Sequence, residues 1–209
     1  MRKADPKDLL ARAYGLKSEA ETRSLYRDWA ATYDETMLAG LGYLTPQRTA
    51  AMLAEAMTAR EGAVLDVGCG TGLAGRALAL HGFSCIDALD FSAEMLAVAR
   101  ASGVYRNCIA ADLNQPLPCQ LLRYRAMICT GTFTHGHVGA ACLPALVSRL
   151  EPGGLFACTV HRDVWDRAGF GAMSERLAGV IETVRRDAGA YYASSKEPDG
   201  WYIVWRKRG

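Results

Sequence analysis

The chain has 209 residues, half of them apolar, and a formal net charge of +2; that supports one full domain with a small appendage and argues against nucleic acid or an anionic membrane surface as the main partner. The seven cysteines, at 69, 85, 108, 119, 129, 142 and 158, contain no C-x-x-C pair, which disfavours a zinc ribbon or thioredoxin motif and suits reduced, mostly buried thiols in a cytoplasmic protein. No stretch approaches a membrane span, and the charged start, Met1 to Asp8, has no apolar run behind it.

Residues 1–58 precede the first predicted strand and read as a helical cap or lid, with the core expected over 59–209. Ser18 is placed to cap a helix with Glu19 and Glu21 in its first turn, which suits the helix dipole. Leu25, Trp29 and Tyr33 follow at i, i+4 and i+8, a stripe that fits either packing on the main domain or a lid over a ligand. A second helix is expected from Pro46, with Ala50, Leu53, Ala54 and Met57 on one side.

From residue 63 strands and helices alternate. The pattern predicts strands over 63–67, 84–89, 105–110, 126–130 and 155–160, with helices over about 71–81, after Ser92, from about Pro144, and over about 164–177. Such alternation means a parallel sheet with helices on its faces. The end departs from that plan. Residues 180–184 and the aromatic run Trp201–Trp205, joined through Lys196-Glu197-Pro198-Asp199-Gly200, read as a closing hairpin. The expected fold is α/β: a Rossmann-like, doubly wound seven-stranded sheet, mostly parallel with an antiparallel C-terminal hairpin strand, plus the N-terminal helical cap.

In such a sheet ligands sit beyond the carboxyl ends of the strands. The residues there are Asp66, Gly68, Gly70 and Gly72 after the first strand, Asp90-Phe91-Ser92 after the second, Asp112-Leu113 after the third, and Thr130 to His137 after the fourth. Glycines let backbone approach a ligand, and the following helix presents its first N–H groups. A carboxylate about twenty residues past the glycines, Asp90, suits two ribose hydroxyls. Asp112 suits an exocyclic amine and Phe91 an aromatic face. Gly70-Thr71-Gly72-Leu73-Ala74-Gly75 also matches the dinucleotide pattern G-x-G-x-x-G. Asp66 argues against that, because it would repel a pyrophosphate and welcome an ammonium. The closing hairpin argues against it too, since it stands where a second mononucleotide-binding half would be.

Val64-Leu65-Asp66-Val67-Gly68-Cys69-Gly70-Thr71-Gly72, Asp90-Phe91-Ser92-Ala93-Glu94-Met95-Leu96, Ala111-Asp112-Leu113 and Leu150-Glu151-Pro152-Gly153-Gly154 together resemble the class I S-adenosylmethionine-dependent methyltransferases. Trp29-Ala30-Ala31-Thr32-Tyr33-Asp34 is similar to the lid helix of small-molecule members. The resemblance implies that Gly68, Gly70 and Gly72 wrap the methionine and ribose portions of S-adenosyl-L-methionine, with Asp66 near its amino group. It implies Asp90 at the ribose, with Asp87 as a rival three residues earlier. Phe91 and Met95 would pack around the adenine, Asp112 and Leu113 would meet its edge, Thr130 and Gly131 would back the methionine, and Tyr33 would close from the lid. Where relatives often carry an acidic residue entering strand four, this chain has Tyr124-Arg125.

The expected reaction is methyl transfer to a small-molecule acceptor by in-line displacement, leaving S-adenosyl-L-homocysteine. A non-catalytic S-adenosylmethionine-binding module and an NAD(P)-dependent oxidoreductase are the alternatives. A hydroxyl or carbon acceptor needs a base, and His135 and His137 are the candidates on the strand-four loop. They are two apart and could pair on a metal, but no third ligand is evident in the sequence, so no metal is expected. Tyr26, Asp34 and His161 are candidate substrate contacts. There is no Asn-Pro-Pro-Tyr-type motif after strand four, where the chain reads Thr130-Gly131-Thr132-Phe133.

Overall fold

A seven-stranded sheet in the order β3-β2-β1-β4-β5-β7-β6 forms the centre of the computed structural model, which describes residues 6–15, 21, 25, 29, 32–119, 121–135 and 138–209. The strands are β1 (Val64–Val67), β2 (Ile86–Asp90), β3 (Asn107–Ala110), β4 (Tyr124–Phe133), β5 (Leu150–His161), β6 (Ile181–Gly189) and β7 (Gly200–Lys207). β1 pairs in parallel with β2 and β4, β2 with β3, and β4 with β5. β7 lies antiparallel between β5 and β6. The sheet is therefore mostly parallel, with the antiparallel closing hairpin expected from the sequence.

The central strands are apolar on both faces, as buried parallel strands must be. Val64, Ile86, Ala126, Ile128, Ala157 and Val204 point into one core layer. Their neighbours Leu65, Leu89, Met127, Cys129, Phe156, Cys158 and Ile203 point into the other. The first layer is covered by α2 (Thr45–Ala56) and α3 (Leu73–Leu80), which follow α1 (Pro6–Tyr14) and a π-helical segment, Glu35–Gly40. α4 (Ala93–Ala101) packs Leu96 and Ala99 on Ala88 of β2. The second layer is covered by α5 (Leu143–Ser148), α6 (Arg162–Trp165) and α7 (Phe170–Arg176), with Leu143, Leu146, Val164 and Phe170 buried. Although the sequence assigns residues up to 58 to the cap, α2 shares the first core layer through Ala50 and Leu53.

Several boundaries differ from those read in the sequence, each for a local reason. The helix expected over 164–177 is two, parted at Gly169 with φ +78°. Glu151-Pro152-Gly153-Gly154, expected as a turn before the fifth strand, is a bulge inside β5. Leu150 pairs with Tyr124 and Leu155 with Ala126, and a Cβ at Gly154 would lie 3.0 Å from the Arg125 carbonyl oxygen. β3 starts at Asn107 rather than Tyr105, because Tyr105 turns away to pack elsewhere. Ser18, Glu19, Tyr26 and His137 lie outside the described residues.

Candidate active site

The rim at the carboxyl ends of β1, β2 and β4 is built around the turn after β1. Gly68, Gly70 and Gly72 take φ of +66°, +54° and +92°, a region that side chains resist. The Gly68 and Cys69 N–H groups donate to the Leu89 carbonyl at 2.7 and 3.0 Å. The Gly70 N–H donates to Asp90 Oδ2 at 2.8 Å, and the Ser92 N–H donates to Asp90 Oδ1 at 2.9 Å. Asp90 thus joins the glycine turn to the N-terminus of α4. Burial pushes its carboxyl up, against the lowering by these backbone donors. The Phe91 backbone N–H acts on the same carboxylate, and about four lone-pair sites on its two oxygens leave room for a further donor. At Gly70 a Cβ would meet nothing within 4 Å, so the turn has an open side there.

The opposite side of the turn is filled. The Tyr105 ring packs beneath it, where a Cβ at Gly72 would lie 2.8 Å from the ring. The Tyr105 hydroxyl donates to Asp66 Oδ2 at 2.6 Å. Asp66 is fully buried, and its Oδ1 has no hydrogen-bond partner among the described residues. Burial raises its carboxyl to about 7, offset in part by the Tyr105 hydroxyl and the Gly75 backbone. Burial and the neighbouring carboxylate push the Tyr105 hydroxyl up as well.

Asp87, the rival to Asp90, is committed to the sheet. It accepts from Arg106 at 3.0 and 2.7 Å, from Asn107 at 2.9 Å and from the Tyr124 hydroxyl at 3.1 Å. Burial raises its carboxyl, and these donors outweigh that and hold it below the usual carboxylate range. Tyr124, at the start of β4, serves this network. Beyond β2, Met95 is buried in α4 and its N–H is capped by Ser92 Oγ at 3.2 Å, while Phe91 is half-buried. Beyond β3, Asp112 Oδ1 accepts from the Asn114 N–H at 2.8 Å and Leu113 is buried.

β4 and β5 complete the rim. Gly131, at φ +73°, donates its N–H to Thr159 Oγ1 at 3.2 Å, and a Cβ there would lie 2.5 Å from the Tyr43 hydroxyl. Thr130 is half-buried beside it. His135, two residues past β4, comes against His161, the last residue of β5, with ring centroids 4.6 Å apart. Asp163, in the first turn of α6, places Oδ2 3.2 Å from His135 Nε2 and 3.8 Å from His161 Nδ1. His161 Nδ1 also accepts the Asp163 N–H at 3.2 Å. Burial lowers the basicity of His161, and His135 lowers it further, against the pull of Asp163 and Asp199.

The cap reaches the same rim. Tyr33 is half-buried, edge-on to Trp29 at 4.9 Å. The Asp34 carboxylate, a candidate substrate contact in the sequence, is taken up by the Thr71 hydroxyl and the Arg76 guanidinium, and so latches the cap onto the glycine turn. The sequence reading missed Tyr105, Tyr43, Arg76 and Asp163. Tyr105 reads as a strand residue. Asp163 stands two residues past His161, a spacing that carries a signal only once the end of β5 is known.

Against known proteins, a methyltransferase-domain model matches residues 64–154. The chain is 33% identical to human methyltransferase-like protein 27 over 152 residues, covering 71% of this chain and 61% of that protein. It is 38% identical to a ubiquinone biosynthesis O-methyltransferase of Xylella fastidiosa over 109 residues, covering 47% of this chain and 42% of that one. The chain thus spans about half the length of these curated relatives. In fold it is similar to the N-methyltransferase NodS of Bradyrhizobium japonicum in complex with S-adenosyl-L-homocysteine, with a TM-score of 0.69 over 90% of this chain and 99% of that one, at 16% identity. The matched segment runs from the glycine turn through Asp90 and Asp112 to the β5 bulge. The antiparallel β7 also stands where the second half of a dinucleotide fold would need a parallel strand. The dinucleotide alternative therefore falls away, and the chain carries a methyltransferase domain of the class I S-adenosylmethionine-dependent family.

Proposed function

We propose that the protein is an enzyme that transfers a methyl group from S-adenosyl-L-methionine to a small-molecule acceptor, releasing S-adenosyl-L-homocysteine. The observation that carries this reading is the glycine turn, open at Gly70 and flanked by two buried carboxylates, Asp90 and Asp66. The cofactor, when bound, supplies an electrophilic methyl on a sulfonium. Gly68, Gly70 and Gly72 would lie along its methionine and ribose portions. Asp90 would accept from the ribose hydroxyls, beside the backbone donors it already holds. Asp112 and Leu113 would meet the adenine edge, Phe91 and Met95 its faces, and Thr130 and Gly131 the methionine from behind. The unpartnered Oδ1 of Asp66 fits a cationic group nearby, in keeping with the ligand ammonium. Tyr33 would close the cap, held down by the Asp34 latch.

The acceptor would enter beside the ends of β4 and β5, where His135, His161 and Asp163 form the polar cluster able to hold or take its proton. A hydroxyl acceptor is in keeping with the name of the Xylella relative. Support for a small molecule rather than a nucleic acid comes from the near-neutral charge. The thiols of Cys69, Cys129, Cys142 and Cys158, buried and unbridged, suit a cytoplasmic setting. No helix among the described residues is long and apolar enough to cross a membrane.

The test is transfer from methyl-labelled cofactor to separate low-mass, RNA and protein fractions of a cell extract. Label in the low-mass fraction is the expected result. Label only in RNA or protein would overturn the acceptor class. Stoichiometric cofactor binding with no transfer to any fraction would establish the non-catalytic module instead.

A further inference from the structure

We infer that His135, His161 and Asp163 form a divalent-cation site on the acceptor side of the rim. Whether the cation binds does not depend on the methyl-transfer reading; what it would do there rests on that reading. The sequence alone offers His135 and His137 with no third ligand. The fold supplies two more, because β5 ends at His161 beside the β4 loop and α6 starts with Asp163 in its first turn.

One ligand atom from each of the three residues lies within 4.8 Å of the others. In a tetrahedral site with bonds of about 2.0–2.2 Å, ligand atoms stand about 3.3 Å apart. Asp163 Oδ2 is already 3.2 Å from His135 Nε2 and 3.8 Å from His161 Nδ1, and the cation would take over the Nδ1 lone pair that now accepts the Asp163 N–H. The third edge of the ligand triangle, between the two imidazole nitrogens, lies within 4.8 Å and closes by a small rotation of one ring, with Asp163, half exposed, adjusting to it. The imidazoles are already held side by side. His161 is buried at the end of a strand, edge-on to His135 and to Tyr191, and His135 is mostly buried. Among the described residues, Arg162 Nε lies 3.8 Å from Asp163 Oδ1, and Asp199 acts on His161 from the β6–β7 connection.

Two imidazoles and one carboxylate, with no thiolate, select borderline first-row cations such as Zn²⁺, Mn²⁺, Co²⁺ or Fe²⁺. Three protein ligands leave a coordination position open. With a cation bound, an acceptor oxygen there would become more acidic and would lose its proton to water, His135 then serving as a ligand; without the cation the cluster itself would take the proton. The acceptor class then narrows to oxygen nucleophiles.

The test titrates Co²⁺ and Zn²⁺ into the purified, metal-stripped protein carrying Cys119→Ser, which removes the exposed thiol. S-adenosylhomocysteine is titrated into the same preparations. The expected result is one cation per chain, a Co²⁺ spectrum without thiolate charge-transfer bands, and at least tenfold weaker binding in Asp163→Asn and in His161→Ala. Asp163→Asn guards against a folding artefact, because its amide keeps the size of the carboxylate and an oxygen able to accept. Absence of stoichiometric binding, or affinity unchanged in Asp163→Asn, overturns the site. If S-adenosylhomocysteine binds and the cation does not, the cation site falls while the methyl-transfer reading stands. If the cation binds and S-adenosylhomocysteine does not, the reverse holds.

Discussion

The hydroxyl of Tyr105 donates a 2.6 Å hydrogen bond to Oδ2 of Asp66, directly beneath the glycine turn. The pair holds the end of β1 to the segment before β3 and fills the space that Gly72 leaves for lack of a side chain. Tyr105→Phe keeps the ring and removes the donor, so a fully buried carboxyl is left with less to satisfy it. The expected cost is about 1.5–3 kcal/mol of unfolding free energy, read as a lowered midpoint in urea with an unchanged slope. A midpoint equal to wild type would show that the hydroxyl does not support the turn.

Asp66 also gives the apo protein a pH signature. Its folded carboxyl is raised to about 7 from 3.8, so the folded state binds the proton more tightly than the unfolded chain does. Stability from this group is present below about pH 4 and is lost as pH rises through about 7, a change on the order of 4 kcal/mol. Asp90, also pushed up by burial, adds to the same slope. The difference between wild type and Asp66→Asn isolates Asp66. Thermal midpoints measured from pH 5 to pH 8 should fall more steeply for wild type than for Asp66→Asn; parallel curves would contradict the assignment.

The glycines of the turn separate by what surrounds them. At Gly70 a Cβ points into open space, whereas at Gly68 it would run into the Thr132 side chain. Gly70→Ala should fold, at a backbone cost of about 1–2 kcal/mol for a left-handed alanine, and should lose S-adenosylhomocysteine affinity because the new methyl stands in the ligand's place. Gly68→Ala should lower the yield of folded protein by circular dichroism. Full affinity in folded Gly70→Ala would put the ligand elsewhere.

Asp34 joins the cap to Thr71 and Arg76 with side chains about one-third exposed. Exposed pairs contribute little stability, up to about 1 kcal/mol, so Asp34→Ala should unfold near the wild-type midpoint. Its effect should fall on closure, raising KM for the cofactor several-fold while kcat changes less. A large loss of stability with an unchanged KM would make the pair structural only.

The succession of strands along the chain and most of the rim residues were legible in the sequence because both rest on local patterns. Apolar runs such as Val64–Val67 mark buried strands, and a ligand-facing turn must carry glycine at 68, 70 and 72. Between Asp90 and its rival Asp87, the structure shows Asp87 engaged by Arg106, Asn107 and Tyr124. What the sequence hid are contacts across long chain separations. Tyr105 under Asp66, Arg76 on Asp34, and Asp163 against His135 depend on where loops cross the rim, and no periodicity encodes that.

The central claim is a cofactor site formed by the glycine turn and Asp90. It is tested most directly by calorimetric titration of S-adenosylhomocysteine into wild type and Asp90→Ala, with folding of both verified by circular dichroism. The account predicts one site per chain in wild type and about 10- to 150-fold weaker binding in Asp90→Ala, equivalent to about 1.5–3 kcal/mol for a lost charge-assisted hydrogen bond. No binding by wild type, or equal affinity in the two proteins, would contradict it.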